Sequence, residues 1–507
     1  MWKMVVRRNA ALLTLMLFGA GCASGRSNIG MSHSTMPQKS TLASSSTLEL
    51  QPSMKPVSDD DVEMQVDSSQ KTSGIHPVQY TVTEDMTAVL DESSNSTEPI
   101  NEHAGWSLAA LESIALQQNP AVLQASASAH KAMGYQNQVG RKPNPVVGYQ
   151  ASQLADRGTD QHVAFIEQDF VLGDKLTKNQ RVLRQEVQSQ LWEVETQRLR
   201  VLTDVRQRFY EALAAQRRKD LATEFETVAV KGVSFAEARL NAKEGTRPEV
   251  LQAEIQLKQI QLQRQQADAA FTGAWKQLMA TAGVPGNDPG VLDGLLPSSA
   301  ERRDWETVKS QMLASSPELQ GARARLARAR ANIERQNAQA IPNLSLMVGA
   351  GRDNGTGSGM LNTQIGVPLP IHNRNEGNIA AAQAEFCRAS QDVRRTELSI
   401  ESRLAEAISG FEAAAASVDQ YHQEILPRAE ESLNLAEQAY KAGEYDFLQV
   451  LVARKTYFDT NQEFVSWQLE LAKTTALLDG QVLVGGLDAT RDTEFDSALR
   501  DQSLSGQ

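Results

Sequence analysis

The 507-residue chain carries 62 acidic against 50 basic side chains, a formal net charge of −12, which argues against a nucleic-acid-binding role. Aromatic residues make up only 5% and charged residues 22%, and Ala, Gln, Glu, Arg and Leu dominate, as in long helices and coiled coils. Two cysteines, Cys22 and Cys387, exclude a disulfide framework.

Residues 1–22 read as a secretory signal. Lys3, Arg7 and Arg8 form a basic start, and Ala10 to Ala20 is an apolar run too short to span a bilayer as a helix. Gly-Ala-Gly before Cys22 resembles a lipoprotein cleavage site, although Gly19 stands where such sites usually carry Leu. Cys22 is therefore the expected lipid anchor; ordinary signal cleavage nearby is the alternative. Residues 23–104, rich in Ser, Thr, Gln and Met, hold no helical or strand period and read as a disordered tether. Met31, Met36, Met54, Met64 and Met86 are soft ligands in principle, but without regular spacing they read as part of a polar linker. No later run of 18 apolar residues offers a transmembrane helix.

A repeat organises the rest, with a first copy at residues 105–290, a second at 291–486 and a flexible tail at 487–507. Pro120 precedes Gly245, and Pro317 precedes Gly443, by nearly the same interval of about 125 residues, which indicates a duplicated domain. Each copy predicts a proline-opened helix, two strand-like segments, a very long helix, a glycine turn and a returning helix. The long helices run from Lys175 to Lys243 and from Arg374 to Lys441, and at 1.5 Å per residue each would be ~100 Å long.

In the second long helix Val393, Ile400, Ala407, Ala414 and Tyr421 form one seven-residue row, and Leu404, Phe411, Val418 and Ile425 another, a core seam between helices. In the first, Val187, Leu191, Val194, Val201 and Val205 follow the same spacing. Pro427 removes a backbone donor late in the second helix and predicts a kink or bulge without a counterpart in the first. Glycines 245 and 443 are the expected left-handed caps, Pro248 suits a first helical position, and the two turns read as tips of antiparallel helical hairpins.

Leu344, Leu346, Val348 and Ala350 alternate with polar or small residues, as do Leu361, Thr363, Ile365, Val367 and Leu369, with a glycine-rich loop from Gly351 to Gly359 between. Val147 to Tyr149 and Ala164 to Phe170 are their first-copy counterparts. Ten-residue strands with one apolar face suit a membrane β-barrel, but four cannot close one, and open edges are not tolerated in lipid. Three chains would supply twelve strands. The expected fold is therefore mainly α with a small β part: a duplicated unit of long coiled-coil helices with four transmembrane strands per chain, pooled into a trimeric barrel and helical tunnel.

The order of Pro368-Leu-Pro-Ile-His-Asn-Arg-Asn-Glu-Gly377, Ile425-Leu-Pro-Arg-Ala-Glu-Glu-Ser-Leu433, Ala439-Tyr440-Lys-Ala-Gly443 and Val450-Leu-Val-Ala453 resembles TolC-type outer-membrane efflux proteins, in particular their CzcC/CusC-like metal-efflux branch. The resemblance covers roughly residues 105–485. It implies a homotrimer in the outer-membrane lipid, extending into the periplasm, with a periplasmic adaptor at the helical tips and an inner-membrane RND pump. The function it implies is passive efflux of heavy-metal cations or small toxic compounds. Gly245, Thr246, Pro248, Gly443, Glu444 and Asp446 would be the adaptor-docking tips. Tyr440, an aromatic before the second tip, is the gate candidate, with ordinary core as the alternative. Gln449 and Val452 stand where relatives often carry acids, which leaves Glu444 and Asp446 as the nearest carboxylates.

No phosphate-binding loop, nucleophile elbow or zinc signature appears, so neither enzyme activity nor a cofactor is expected. The seven histidines, His372 at the strand-to-helix junction among them, are not spaced as metal ligands, and no metal site is expected. Cys387 reads as a small core residue. The rival reading is a soluble periplasmic coiled-coil adaptor or scaffold, disfavoured because each hairpin is preceded by its own strand pair.

Overall fold

The computed structural model describes residues 106–154 and 158–488. Cys22, the signal, the tether with its methionines, and the tail beyond Asp488 lie outside the described residues.

The first half holds β1 (Trp106–Ser107), α1 (Leu108–Gln118), α2 (Pro120–Val139), β2 (Val146–Ser152), β3 (Gln161–Phe170), α3 (Lys175–Asn241) and α4 (Arg247–Thr281). The second repeats the order: β4 (Leu292–Asp293), α5 (Trp305–Ser315), α6 (Pro317–Gln339), β5 (Leu344–Asp353), β6 (Ser358–Gly366), α7 (Glu376–Gln420), a π-helical turn (Tyr421–Ile425), α8 (Leu426–Lys441) and α9 (Phe447–Asp479). Pro120 and Pro317 open α2 and α6 as expected, each behind a capping side chain. Asn119 Oδ1 accepts from Ala121 N–H at 2.9 Å, and Ser316 Oγ from Leu319 N–H at 3.4 Å. Asn119 Nδ2 also donates to the Thr281 carbonyl at 2.9 Å, joining the start of α2 to the end of α4.

The first long helix, α3, runs unbroken for 67 residues. Its counterpart breaks where Pro427 predicts. The missing proline N–H cannot bond back to residue 423, and Leu426 N–H instead reaches five residues back to the Tyr421 carbonyl. The heptad seam ends there: Ile400, Leu404, Ala407, Phe411, Ala414 and Val418 are buried, whereas Tyr421 and Ile425 are only half-buried. In α3, Val187, Val201 and Val205 are buried, and Leu191 and Val194 half-buried.

Two apolar clusters stabilise the body. One gathers Leu111, Phe209, Trp275 and Leu278; the other gathers Met312, Ile400, Leu404, Phe411 and Leu471. Leu292 belongs to the first cluster although it opens the second copy: β4 pairs in parallel with β1, and the Gln216 side chain bonds both Leu292 N–H (2.9 Å) and C=O (3.2 Å). The chain after α9 is tied to α3. Gln197 Nε2 donates to the Gly486 carbonyl at 2.8 Å, and the Asp204 carboxylate accepts Gly485 and Gly486 N–H at 3.4 and 2.7 Å. A Cβ on Gly486 would lie 2.8 Å from Val201 Cα, so glycine permits this close approach.

The four longer strands form one antiparallel sheet, ordered β2-β3-β5-β6. The central pair joins the two halves over ten residues, from Gln161↔Asp353 to Phe170↔Leu344. The register puts Val147, Ile166, Val348 and Thr363 in one row and Leu346 and Ile365 in another on the same face. That face is apolar apart from Gln168 in the Leu346 row and Thr363, and among the described residues it is unpartnered, with Val147 78% and Leu361 72% exposed. The other face carries Gln150, Glu167, Ser345, Asn362 and Gln364. There Gly148 makes room for the Phe165 ring, 2.4 Å from where its Cβ would stand.

Three expectations change. The loop between β5 and β6 is shorter than Gly351 to Gly359: β5 continues to Asp353, whose carboxylate caps the turn by accepting Gly355 N–H at 2.9 Å. The last strand stops at Gly366 instead of Leu369, because Pro368 and Pro370 bring no N–H to a ladder. Cys387 is exposed on α7 and not a core residue; Ala382 and Ala389 occupy the buried positions flanking it.

Candidate functional site at the helical tips

Both hairpins turn with one backbone, displaced by 200 residues. After α3, Glu244 and Gly245 N–H bond the Arg239 carbonyl at 2.9 and 3.1 Å; after α8, Glu444 and Tyr445 N–H bond the Ala439 carbonyl at 2.9 and 3.3 Å. The left-handed residue of the second tip is Gly443, with φ 76°. In the first tip it is not Gly245 but Lys243, with φ 64°. The glycine expected there sits two residues beyond the cap, at the position of Tyr445. It closes against α3, where a Cβ would stand 3.1 Å from Arg239 Cβ. A lysine in this conformation costs roughly 1 kcal/mol relative to glycine.

The returning helices start by different means. Thr246 precedes α4, its Oγ1 donating to Glu249 Oε1 at 3.1 Å, and Pro248 lies in the first turn. Asp446 caps α9 by accepting Phe447 N–H at 2.8 Å. Glu444 and Asp446 are both exposed.

An apolar cluster fastens the two tips to each other. Ala236 of α3, Val250 and Ala253 of α4, Ala436 and Tyr440 of α8, and Phe447 and Val450 of α9 are buried together. Tyr440 is central and only 6% exposed. Its ring lies 5.9 Å from Phe235 and 5.6 Å from Phe447, and the Arg239 guanidinium stands 4.8 Å from its centroid. Among the described residues the Tyr440 hydroxyl is buried without a hydrogen-bond partner. Tyr440 thus bridges from its own hairpin to the neighbouring one through an aromatic and a cation–π contact. Above it Arg454 pairs with Glu437 at 2.8 Å, joining α9 to α8.

Phe235 and Arg239 of α3 carry no sequence signal that marks them for this cluster, since their role depends on which hairpin lies alongside. Phe447 carries only a weak one, as an aromatic directly after a capping Asp. Higher up, α4 and α9 border a groove of about 310 Å³ lined by Ile255, Gln256, Gln259, Leu448, Val452 and Lys455, with Phe225 also in its lining. Gln449 and Val452, the positions weighed for acids, are exposed. Among the described residues, no three His, Cys, Asp or Glu side chains are placed to hold a metal ion, and no helix is long and apolar enough to cross a membrane.

Comparisons with known proteins agree with this architecture. The model of the family described as outer membrane efflux protein matches residues 111–284 and 308–480, one match for each half. The cobalt-zinc-cadmium resistance protein CzcC of Cupriavidus metallidurans is 27% identical over 257 residues, 51% of this chain and 61% of that protein. The outer membrane efflux protein BepC of Brucella suis is 25% identical over 74% of this chain and 80% of its own. The pyoverdine export outer membrane protein OpmQ of Pseudomonas putida is 28% identical, with 41% of its length matched. The chain thus spans about three fifths or less of the CzcC and OpmQ proteins it matches. Among solved structures, CusC superposes with a TM-score of 0.63 at 19% identity, covering 76% of this chain and 96% of its own. VceC of Vibrio cholerae gives 0.60 at 20% identity, covering 75% and 96%. These likenesses establish a TolC-like channel fold. With both halves matched by the family model, the chain belongs to the outer membrane efflux protein family, a family of outer-membrane channels and not of enzymes.

Proposed function

We propose that this chain is the passive outer-membrane duct of a tripartite export system, working as a homotrimer with a periplasmic adaptor and an inner-membrane RND pump. The observation that carries the reading is the four-stranded sheet, largely apolar on one face and, among the described residues, unpaired along β2 and β6, set on helices of up to 67 residues. An open sheet does not survive in lipid, and three copies joined edge to edge give twelve strands with no edge left. The apolar face then meets lipid, the polar face lines the lumen, and the helices continue the duct toward the tips. Cys22 is the proposed lipid anchor.

The polar tips at 243–248 and 441–447 are the adaptor's docking surface, and the groove between α4 and α9 extends it. Tyr440 holds the closed end shut by joining the two hairpins, with Glu444 and Asp446 contributing little. The name of CzcC, a cobalt-zinc-cadmium resistance protein, favours export of heavy-metal cations; small toxic compounds are the second cargo class, and the name of OpmQ, a pyoverdine exporter, keeps organic cargo in view. Deletion of the gene in its host is expected to lower resistance to cobalt, zinc and cadmium, and an intact copy to restore it. Purified protein is expected to migrate as a heat-dissociable trimer. A monomer in the periplasmic fraction would refute the duct and favour a soluble adaptor or scaffold.

A further inference from the structure

The apolar face of the sheet does not end where the ladder ends. Its polar limit on one side is plain: His162 and Arg352 are register partners, and Arg352 pairs with Gly359. From that row toward the helices the face carries Leu361, Thr363 and Ile365 along β6, and then the ladder stops at Gly366. Leu361 to Ile365 spans only ~13 Å of strand, or ~9 Å along the membrane normal at a tilt of ~45°. A barrel of this class presents an apolar band ~25 Å tall. The paired residues of β6 therefore cover less than half of it.

Most of the missing height is present in the chain just beyond. Val367, Leu369 and Ile371 alternate with Pro368 and Pro370 and are 47%, 73% and 66% exposed. A residue before proline is held extended, so Val367 and Leu369 continue the run of the strand. Leu361 to Leu369 then spans ~26 Å, or ~19 Å along the normal, about three quarters of the ~25 Å band. The first half ends likewise, with Phe170 exposed at the last position of β3 and Leu172 exposed just beyond it. Unpaired backbone is normally excluded from hydrocarbon because its donors go unsatisfied. Here Pro368 and Pro370 have no N–H, and Ile371 N–H is taken by the Leu369 carbonyl at 2.8 Å. Three of five residues thus offer no free donor.

We propose that residues 367–371 are a lipid-embedded collar, contacting the acyl chains of the periplasmic leaflet and setting the depth at which the duct sits. The proposal rests on the barrel reading above and adds to it that the hydrocarbon boundary lies at the prolines, not at the last ladder bond. The test places single cysteines at Ile365, Leu369, Ile371 and, as the wet control, Thr246, in full-length protein carrying Cys387→Ser. Each is labelled with an environment-sensitive fluorophore and reconstituted in phospholipid vesicles with brominated acyl chains. Probes at 369 and 371 are expected to lose the same fraction of emission to bromolipid as the probe at 365 and to resist aqueous iodide; the probe at 246 should show the reverse. If 365 is quenched by bromolipid while 369 and 371 answer only to iodide, the collar is overturned and the barrel stands. If 365 also fails to respond to bromolipid, the barrel reading falls and the collar with it. Val367→Cys provides a second reading of the same segment should either lower position fail to assemble.

Discussion

The two hairpins share a backbone and differ in what holds it. The first is one continuous α3 turning at a left-handed Lys243; the second is interrupted by a π-helical turn and ends at a left-handed Gly443. Duplication fixed the path of the chain, and each half then satisfied that path with its own residues. The second hairpin carries the devices that loosen it: a proline, a bulge and a seam that stops short of the tip. Below the bulge only Ala436 and Tyr440 of α8 are buried, so the ring cluster around Tyr440 is what ties that arm to its neighbour.

The largest expected effect tests the shared body. Trp275 is fully buried in the first cluster, with its indole N–H donating to the Asn287 carbonyl at 3.0 Å. Trp275→Ala should cost about 3–5 kcal/mol, read as a clear drop in the melting temperature of the detergent-solubilised protein. A change no larger than that of a surface substitution would show that the body does not depend on this cluster.

Next comes the link between the arms. Tyr440→Ala removes two ring contacts and the cation–π pair with Arg239, a loss of about 3 kcal/mol at the tip. Single-channel conductance in planar bilayers should rise clearly, while Glu444→Gln and Asp446→Asn change it little. The opposite ranking would make the closed end electrostatic. Tyr440→Phe is the sharper control: the hydroxyl it deletes is buried without a partner among the described residues, so stability should hold or rise slightly.

The caps can be exchanged. Gly443→Lys puts in the second tip what the first already tolerates and should cost roughly 1 kcal/mol; Lys243→Gly should recover a comparable amount. Equal and opposite shifts in melting temperature would show that the tips are equivalent in backbone. No change at Gly443 would show that the second tip has relaxed away from the left-handed cap.

The smallest effect is a pH dependence at the C-terminal tie. Burial raises the Asp204 carboxyl above its ordinary range, against the pull of the Gly485 and Gly486 N–H bonds. A carboxyl whose pKa is raised on folding binds its proton more tightly in the folded state. Stability contributed here is therefore greatest at acid pH and declines as pH rises from the ordinary carboxylate range through the raised value. Asp204→Asn should flatten that decline in melts taken between acid and neutral pH; an unchanged slope would place its source elsewhere.

Much of this was legible in the chain. Periodicity gave the long helices and the strands, proline marked the starts of α2 and α6 and the bulge, and the duplication was visible because its landmarks recur at one interval. What stayed hidden depends on neighbours. A lysine can replace a glycine at a cap when packing outweighs about 1 kcal/mol of local strain, so the Gly245 landmark pointed two residues past the true cap. Whether Tyr440 was core or gate could not be told from one helix, because its partners Phe235 and Arg239 lie on another. The face of Cys387 is likewise hidden, because a small residue on a long helix shows its face only when the partner's position is known.

The sheet also sets a condition on how the chain reaches its membrane. The ten-residue ladder between β3 and β5 forms within a single polypeptide, at a rate indifferent to concentration. Among the described residues the outer margins of β2 and β6 have no such internal partner, and in the proposed trimer they would stay open until other copies arrive, so closure would wait on encounter. Until then each proposed subunit would carry two templates for runaway strand addition, so the interval before insertion would be its most exposed to misassembly.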